Sequence, residues 1–235
     1  MTQQQFEGFG PDALKFLTAL GFHQSREWFH ENKKMYEREV KEPLGLFIES
    51  ASDAMEAAGL PFHGSRKSSL FRINRDVRFA KEKHPYNTHV SGVLTRNGTK
   101  KDPGGVYFHY TPDNCLFASG LWMPDGKQIK AVREAIVEDP KTFLKLEADL
   151  ESHGLAFGTD RNLKRPAPGF KDVENEEVKR LLHQRSFVVE RKVHDTAIFS
   201  AKLVDELVDF AKVALPLNEY FERVLGPLRE EDGNA

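Results

Sequence analysis

Cysteine is almost absent from this 235-residue sequence, and long apolar runs are missing altogether. Its one cysteine, Cys115, has no partner for an internal disulfide, which fits a reducing compartment. No apolar stretch approaches the roughly 20 residues that a membrane helix needs. The first residues lack the basic and apolar regions of a secretory signal. We therefore expect a cytoplasmic protein with no membrane partner.

Signatures of metal and nucleotide sites are also missing. The nine histidines are scattered, and His30-Glu31 lacks a second histidine at the spacing of a zinc-binding helix. Gly8-Phe9-Gly10 matches the start of a dinucleotide fingerprint, but no predicted strand precedes it. Residues 92–100 depart from the phosphate-binding loop in their spacing. The sequence thus predicts neither a metal site nor a bound cofactor.

The net charge of −2 conceals a basic middle segment. Residues 64–110 carry ten Lys/Arg and three Asp/Glu, a net of +7, whereas residues 1–63 and 111–235 carry −4 and −5. A block of one sign between two blocks of the other indicates an anionic ligand. The alternative is that the acidic flanks fold back and pair with the basic block. A pI near 6.5 argues against a protein that coats DNA.

The period of the hydrophobic pattern changes after Gly59. Before it, apolar residues recur at helical spacing. From Leu70 to Phe79 they alternate with polar residues, so that Phe71 and Ile73 share one face. This alternation predicts a half-exposed strand over residues 70–79.

The second half of the chain carries two more strand signals. Residues 105–110 and 115–122 flank a Pro-Asp-Asn turn and predict a hairpin. Residues 186–193 predict another strand. Otherwise helical spacing returns, with a last helix expected to break at Pro216 and end at Gly226. We predict a single α+β domain over residues 1–235, with an antiparallel sheet centred on residues 70–122 and the N- and C-terminal helices packed on it.

The basic block contains the candidate ligand site. On the predicted strand, Arg72 and Arg78 share one face and Arg75 points to the other. Arginine binds phosphate or carboxylate through a planar fork, and lysine adds a point charge. The ring of Tyr86, with that of nearby Phe79, is suited to stacking on a base or sugar. The predicted ligand-binding residues in this block are Arg72, Arg78, Lys81, Lys83 and Tyr86.

Candidates for proton transfer are few. Tyr86 and His109 are the groups best suited to donate or accept a proton beside a bound anion. Asp76 is a third candidate, but its arginine neighbours suit it better to orienting a guanidinium. The residues leave open whether the protein is an enzyme.

Several motifs together resemble a known family, the bacterial and fungal conserved hypothetical proteins of domain-of-unknown-function family 2461. These motifs are Glu27-Trp28-Phe29, Asn32-Lys33, the run from Phe71-Arg72 to Pro85-Tyr86, Gly120-Leu121-Trp122-Met123-Pro124, Arg133, and the turn from Leu163 to Phe170. The resemblance covers nearly the whole chain and implies no activity. It does group Lys164 and Arg165 with the basic block. Ala80 and Glu82 stand where serine and aspartate are usual in the family.

Three functions follow from these residues. The first is binding of a small phosphorylated or nucleotide-like anion, by an enzyme or by a ligand-dependent protein. The second is nucleic-acid binding, with Phe79, Tyr86 and Trp122 as stacking surfaces. The third is a structural or interaction protein whose basic residues pair internally. No residue pattern specifies an oligomeric state.

Overall fold

The computed structural model describes residues 5–78, 80–100, 102, 104–159, 162–165, 167–194 and 196–233. The helices are α1 (Pro11–Phe22), α2 (Arg26–Glu31), α3 (Lys33–Met35), a π-helical segment (Tyr36–Lys41), α4 (Glu42–Ala57), α5 (Gly126–Glu138), α6 (Pro140–Ser152), α7 (Glu176–Leu182), a 3₁₀ turn (Ala197–Phe199) and α8 (Lys202–Gly233). The strands are β1 (Val90–Leu94), β2 (Val106–Tyr110), β3 (Cys115–Leu121) and β4 (Phe187–Lys192). No described helix is long and apolar enough to cross a membrane.

The four strands form one antiparallel sheet in the order β1-β2-β3-β4. Strands β1 and β2 pair in register from Val90 opposite Tyr110 to Leu94 opposite Val106. Helices precede and follow the strands, so the fold is α+β, as the change of period predicts. The predicted hairpin and the strand at residues 186–193 are confirmed as β2–β3 and β4.

The chain divides into two compact units. The first comprises Met1–Asp102, Val106–Phe117 and Arg191–Phe210, and the second comprises Pro103–Gly105, Ala118–Glu190 and Ala211–Ala235. Each unit is assembled from segments that are distant in sequence. The single domain over residues 1–235 stays a prediction.

The core of the first unit lies between α4 and the strands β1 and β2. Buried side chains recur along α4 at helical spacing, which gives the helix one apolar face. Phe47 on this face packs against Phe108 of β2, with ring centroids 4.6 Å apart. A Cβ on Gly92 of β1 would lie 2.7 Å from Ile48 Cδ1. Glycine at position 92 therefore allows α4 to approach the sheet closely.

The core of the second unit is an aromatic cluster between α6, β4 and α8. Phe143 contacts Phe157, Phe187 and Tyr220, with ring centroids 5.9, 5.5 and 4.9 Å apart. Phe187 also contacts Phe221 at 5.9 Å. These rings bury a large apolar area, and edge-to-face geometry adds to the energy of that burial.

The continuous strand predicted over residues 70–79 is wrong. Within the described part of that segment, Leu70 and Asn74 make isolated bridges to Gly92 and Tyr86. Four positions separate Leu70 from Asn74 but six separate Tyr86 from Gly92, so two extra residues interrupt the ladder. The predicted alternation fails as well, because Phe71 is exposed. Phe79 lies outside the described residues.

The predicted end of the last helix is also wrong. Helix α8 continues through Pro216 and Gly226 to Gly233. Proline removes one hydrogen bond from a helix interior. Here the neighbouring Leu217 and Phe221 are fully buried, and this packing keeps the helix intact across Pro216.

Candidate functional site

The predicted basic site lies mainly on one loop of the first unit, residues 75–85, which we call the basic loop. Two backbone hydrogen bonds close its base: Arg75 N–H donates to Pro85 O at 2.8 Å, and Asn87 N–H donates to Ile73 O at 2.7 Å. The two ends of the loop are therefore held next to each other.

Two buried side chains anchor this base. Ile73 is 5% exposed and Tyr86 is 6% exposed. The Tyr86 ring stacks on Phe29 with centroids 4.3 Å apart, and its backbone N–H donates to Gln24 Oε1 at 3.2 Å. Tyr86 thus has no exposed ring face on which a base can stack. Phe79, expected to stack beside it, lies outside the described residues.

The basic side chains of this region are on the surface. The exposed residues are Arg72, Arg75, Arg78, Lys81, Lys83 and His84. Within the described part of the chain, Arg72, Arg75 and Lys81 have no carboxylate at ion-pair distance. The structure therefore places a group of exposed positive charges on and beside a loop whose base is fixed.

Asp76 and Arg78 form an ion pair within the basic loop. Arg78 Nη2 lies 2.6 Å from Asp76 Oδ2, and Arg78 Nε lies 3.0 Å from Asp76 Oδ1. The Arg78 backbone N–H donates to the same carboxylate at 3.1 Å. Hydrogen bonds from Arg78 lower the pKa of Asp76 below its usual range. A low pKa makes Asp76 a weak base, and its position orients the Arg78 guanidinium.

Lys83 donates hydrogen bonds to the backbone of the basic loop. Its Nζ donates to Val77 O at 2.9 Å and to Arg78 O at 3.5 Å. These bonds connect Lys83 to backbone carbonyls five and six residues earlier in the loop. Part of the hydrogen-bonding capacity of Lys83 is therefore used within the loop.

Internal pairing accounts for only part of the charge in the basic block. Arg66 forms ion pairs with two glutamates of α4. Its Nε lies 2.7 Å from Glu49 Oε2, and its Nη1 lies 2.5 Å from Glu42 Oε1. This pairing matches the alternative in which the acidic flank neutralises the block. Among the described residues, Arg66 is paired in this way, but Arg72 and Arg75 form no ion pair.

Lys164 and Arg165 belong to the second unit. They are exposed and directly follow Leu163, whose backbone N–H donates to His183 O at 2.7 Å. His183 Nδ1 in turn lies 2.7 Å from Leu163 O. Their convergence with the basic loop on one site stays a prediction.

His109 lies on β2 among aromatic neighbours that the sequence reasoning did not identify. Its Nδ1 is 3.2 Å from the Tyr107 hydroxyl, and its ring stacks on His89 with centroids 4.5 Å apart. Burial, and then the charge of His89, lower the pKa of His109 to about 4. The imidazole is therefore neutral near pH 7. Tyr107 and His109 are two residues apart on a strand, a spacing that places them on one face.

We expect the folded protein to lose stability as the pH falls from about 6.5 to about 4. The ordinary pKa of His109 is 6.5, and its pKa in the fold is about 4, so within this window the unfolded chain binds more protons. The free energy of unfolding therefore decreases with decreasing pH. After a discount for solvent at this half-buried ring, the loss is about 1 to 2 kcal/mol.

Urea denaturation of the wild type and of His109→Gln, near neutral pH and about two units lower, measures this dependence. The variant should lose less stability than the wild type on acidification. Equal losses in the two proteins would contradict the prediction.

A separate cavity of about 570 Å³ lies in the first unit. Glu7, Gly8, Phe9, Gly10, Pro11 and Phe199 line it. Among the described residues that line it, only Glu7 is charged, and none is a predicted site residue. This lining does not suit an anion.

Fold and site together define an α+β protein with an antiparallel sheet and an exposed basic loop. A family model for conserved hypothetical proteins, DUF2461, matches residues 12–220. The chain belongs to this family, as the motifs indicate. Neither the curated proteins nor the solved structures contain a match to the chain. Among the described residues, no group of three or more His, Cys, Asp or Glu is placed to hold a metal ion.

Proposed function

We propose that the protein binds phosphate groups through the basic loop and the adjacent Arg72. The observation that carries this proposal is the exposure of Arg72, Arg75 and Lys81 without an ion-pair partner among the described residues. Exposed charges of one sign on a chain of net charge −2 attract an ion of opposite sign. The small phosphorylated anion and the nucleic-acid backbone share this chemistry.

The arginines of this loop are suited to binding phosphate. The guanidinium presents several N–H donors in one plane, which match two phosphate oxygens at once. Lys81 adds charge without directional demand. The carboxylate of Asp76 orients the Arg78 guanidinium within the loop.

The exposure of the loop favours a ligand that lies along it. Small ligands bind in clefts that bury most of their surface, and the basic side chains here are exposed. Burial of Tyr86 removes a stacking surface for a single base. These two features support contact with successive phosphates of a nucleic-acid strand more than enclosure of a mononucleotide. A binding protein therefore fits this geometry better than an enzyme does.

The test is fluorescence anisotropy with labelled single-stranded oligonucleotides of about 5 to 20 nucleotides, with mononucleotide and inorganic phosphate as competitors. Affinity should rise with length and fall with added salt. Arg72→Ala and Arg75→Ala should each weaken binding by about tenfold, since one charge-assisted hydrogen bond contributes about 1.5 kcal/mol. Lys145→Ala on α6, which removes an equal charge outside the loop, should leave affinity nearly unchanged.

Asp76→Asn should change affinity in the opposite direction. It removes a negative charge from the loop yet keeps an oxygen that accepts the Arg78 backbone N–H. Tighter oligonucleotide binding by Asp76→Asn, together with weaker binding by Arg72→Ala, supports the proposal. Selective mononucleotide binding would assign the loop to a small ligand instead. Wild-type affinity in every variant, or no binding of any phosphate ligand, would overturn it.

A further inference from the structure

The second unit contains a buried cation that no described carboxylate neutralises. Arg133, on α5, is 8% exposed. Its Nη2 donates to Gln184 O at 2.8 Å, while its Nε is buried without a hydrogen-bond partner. Among the described residues, no Asp or Glu lies at ion-pair distance from it.

A buried guanidinium in this state is costly. Removing a charge from water is unfavourable unless an opposite charge or hydrogen bonds compensate. Burial and the nearby Arg185 both lower the pKa of Arg133, which shows that the surroundings oppose its charge. An unpaired buried donor together with a like-charged neighbour is the arrangement expected where an anion is to be bound.

Hydrogen bonds place the sequence neighbours of further basic residues beside Gln184. The Gln184 side-chain nitrogen, in the orientation that satisfies its partners, donates to Asn162 Oδ1 at 2.7 Å and to Ser186 O at 3.2 Å. Residues 162 and 163 are thus fixed beside residues 183 and 184. Lys164 and Arg165 come directly after residue 163, and Arg185 comes directly after Gln184. All three are exposed. We call Arg133, Lys164, Arg165 and Arg185 the second basic cluster.

A strained turn is hydrogen-bonded to Ser186, the residue that follows Arg185. Met123 has a φ of 43°, which is unusual for a residue with a side chain. Its backbone N–H donates to the hydroxyl of Ser186, at 3.0 Å. Trp122, which precedes it, is 56% exposed. Strained backbone of this kind is concentrated at binding sites.

We propose that the second basic cluster is a separate phosphate-binding site, in which Arg133 is the inner cation. Arg185 and the basic pair at residues 164–165 supply the outer charge. A doubly charged phosphate group suits several cations better than a single carboxylate does. All four residues of this site belong to the second unit.

The test is isothermal titration and thermal unfolding of the full-length chain with inorganic phosphate, with acetate as the carboxylate probe. Arg133→Met should raise the melting temperature without phosphate, because an apolar side chain replaces an unpaired buried charge. The same variant should lose the phosphate-dependent rise in melting temperature. Arg185→Ala, an exposed change, should weaken phosphate binding by about tenfold while the protein stays folded.

Basic-loop variants separate this site from the proposed function. Arg72→Ala should keep the phosphate-dependent stabilisation that Arg133→Met loses. Equal stabilisation by acetate would overturn the assignment to phosphate. An unchanged phosphate response in both Arg133→Met and Arg185→Ala would overturn the site. If Arg133→Met does not fold, the response of Arg185→Ala decides alone.

Discussion

Gly120→Ala should destabilise the protein by about 4 kcal/mol or more, an effect that few single substitutions reach. Gly120 lies in β3 with a φ of +121°, a conformation that side chains rarely adopt. A Cβ at this position would lie 2.1 Å from Phe187 O, a backbone atom. Because neither backbone can yield without breaking its own packing, the substitution combines torsional strain with a steric clash.

Urea denaturation measures this loss, and Gly126→Ala is the matched control. Gly126 begins α5, and a Cβ there meets nothing within 4 Å. Alanine at position 126 should be neutral or stabilise by up to about 1 kcal/mol. Comparable stability of Gly120→Ala and the wild type would show that β3 can move away from Phe187 at little cost.

Asn218→Ala should destabilise the protein by about 2 to 3 kcal/mol. Asn218 Oδ1 accepts a hydrogen bond from Gly105 N–H at 2.8 Å, and its Nδ2 donates to Ser119 Oγ at 2.8 Å and to Ala214 O at 3.0 Å. The Ser119 hydroxyl donates to Gly105 O at 2.7 Å, which closes the network. Asn218 and Ser119 are both buried, so alanine at position 218 leaves the Gly105 N–H without a partner and away from water.

A double-mutant cycle with Ser119→Ala tests whether the network acts as a unit. Residues that share a buried hydrogen-bond network couple by about 0.5 to 3 kcal/mol. The double variant should therefore be more stable than the sum of the two single losses predicts. Strict additivity would mean that Asn218 and Ser119 stabilise the fold independently.

Local chemistry accounts for the elements that were predicted correctly. The β2–β3 hairpin has two apolar arms and a Pro-Asp-Asn turn between them, and both signals act within about 20 residues. α4 shows the same locality, with an apolar face at helical spacing. β1 was missed because it has five residues, two of which are Ser91 and Gly92. Serine and glycine at consecutive positions interrupt the alternation that marks a strand.

The basic loop shows where local reasoning fails. Alternation from Leu70 to Phe79 predicts one continuous strand, yet pairing depends on the partner segment. The partner segment has two extra residues between Tyr86 and Gly92, and the sequence of residues 70–79 gives no sign of them. The same pairing draws Tyr86 into contact with Phe29, 57 positions away in sequence, and so turns a predicted stacking surface into a buried anchor.

By itself, the sequence determined the α+β class, the position of the hairpin and β4, the family, and the concentration of positive charge in residues 64–110. Each of these depends on residue type or on spacing over a few turns. Only the tertiary structure decided which cations are paired, which are exposed and which are buried. Arg66 finds Glu49 across 17 residues, and Arg133 reaches Gln184 across 51 residues. Burial and ion pairing are set by contacts between distant segments, and a local pattern carries no information about those contacts.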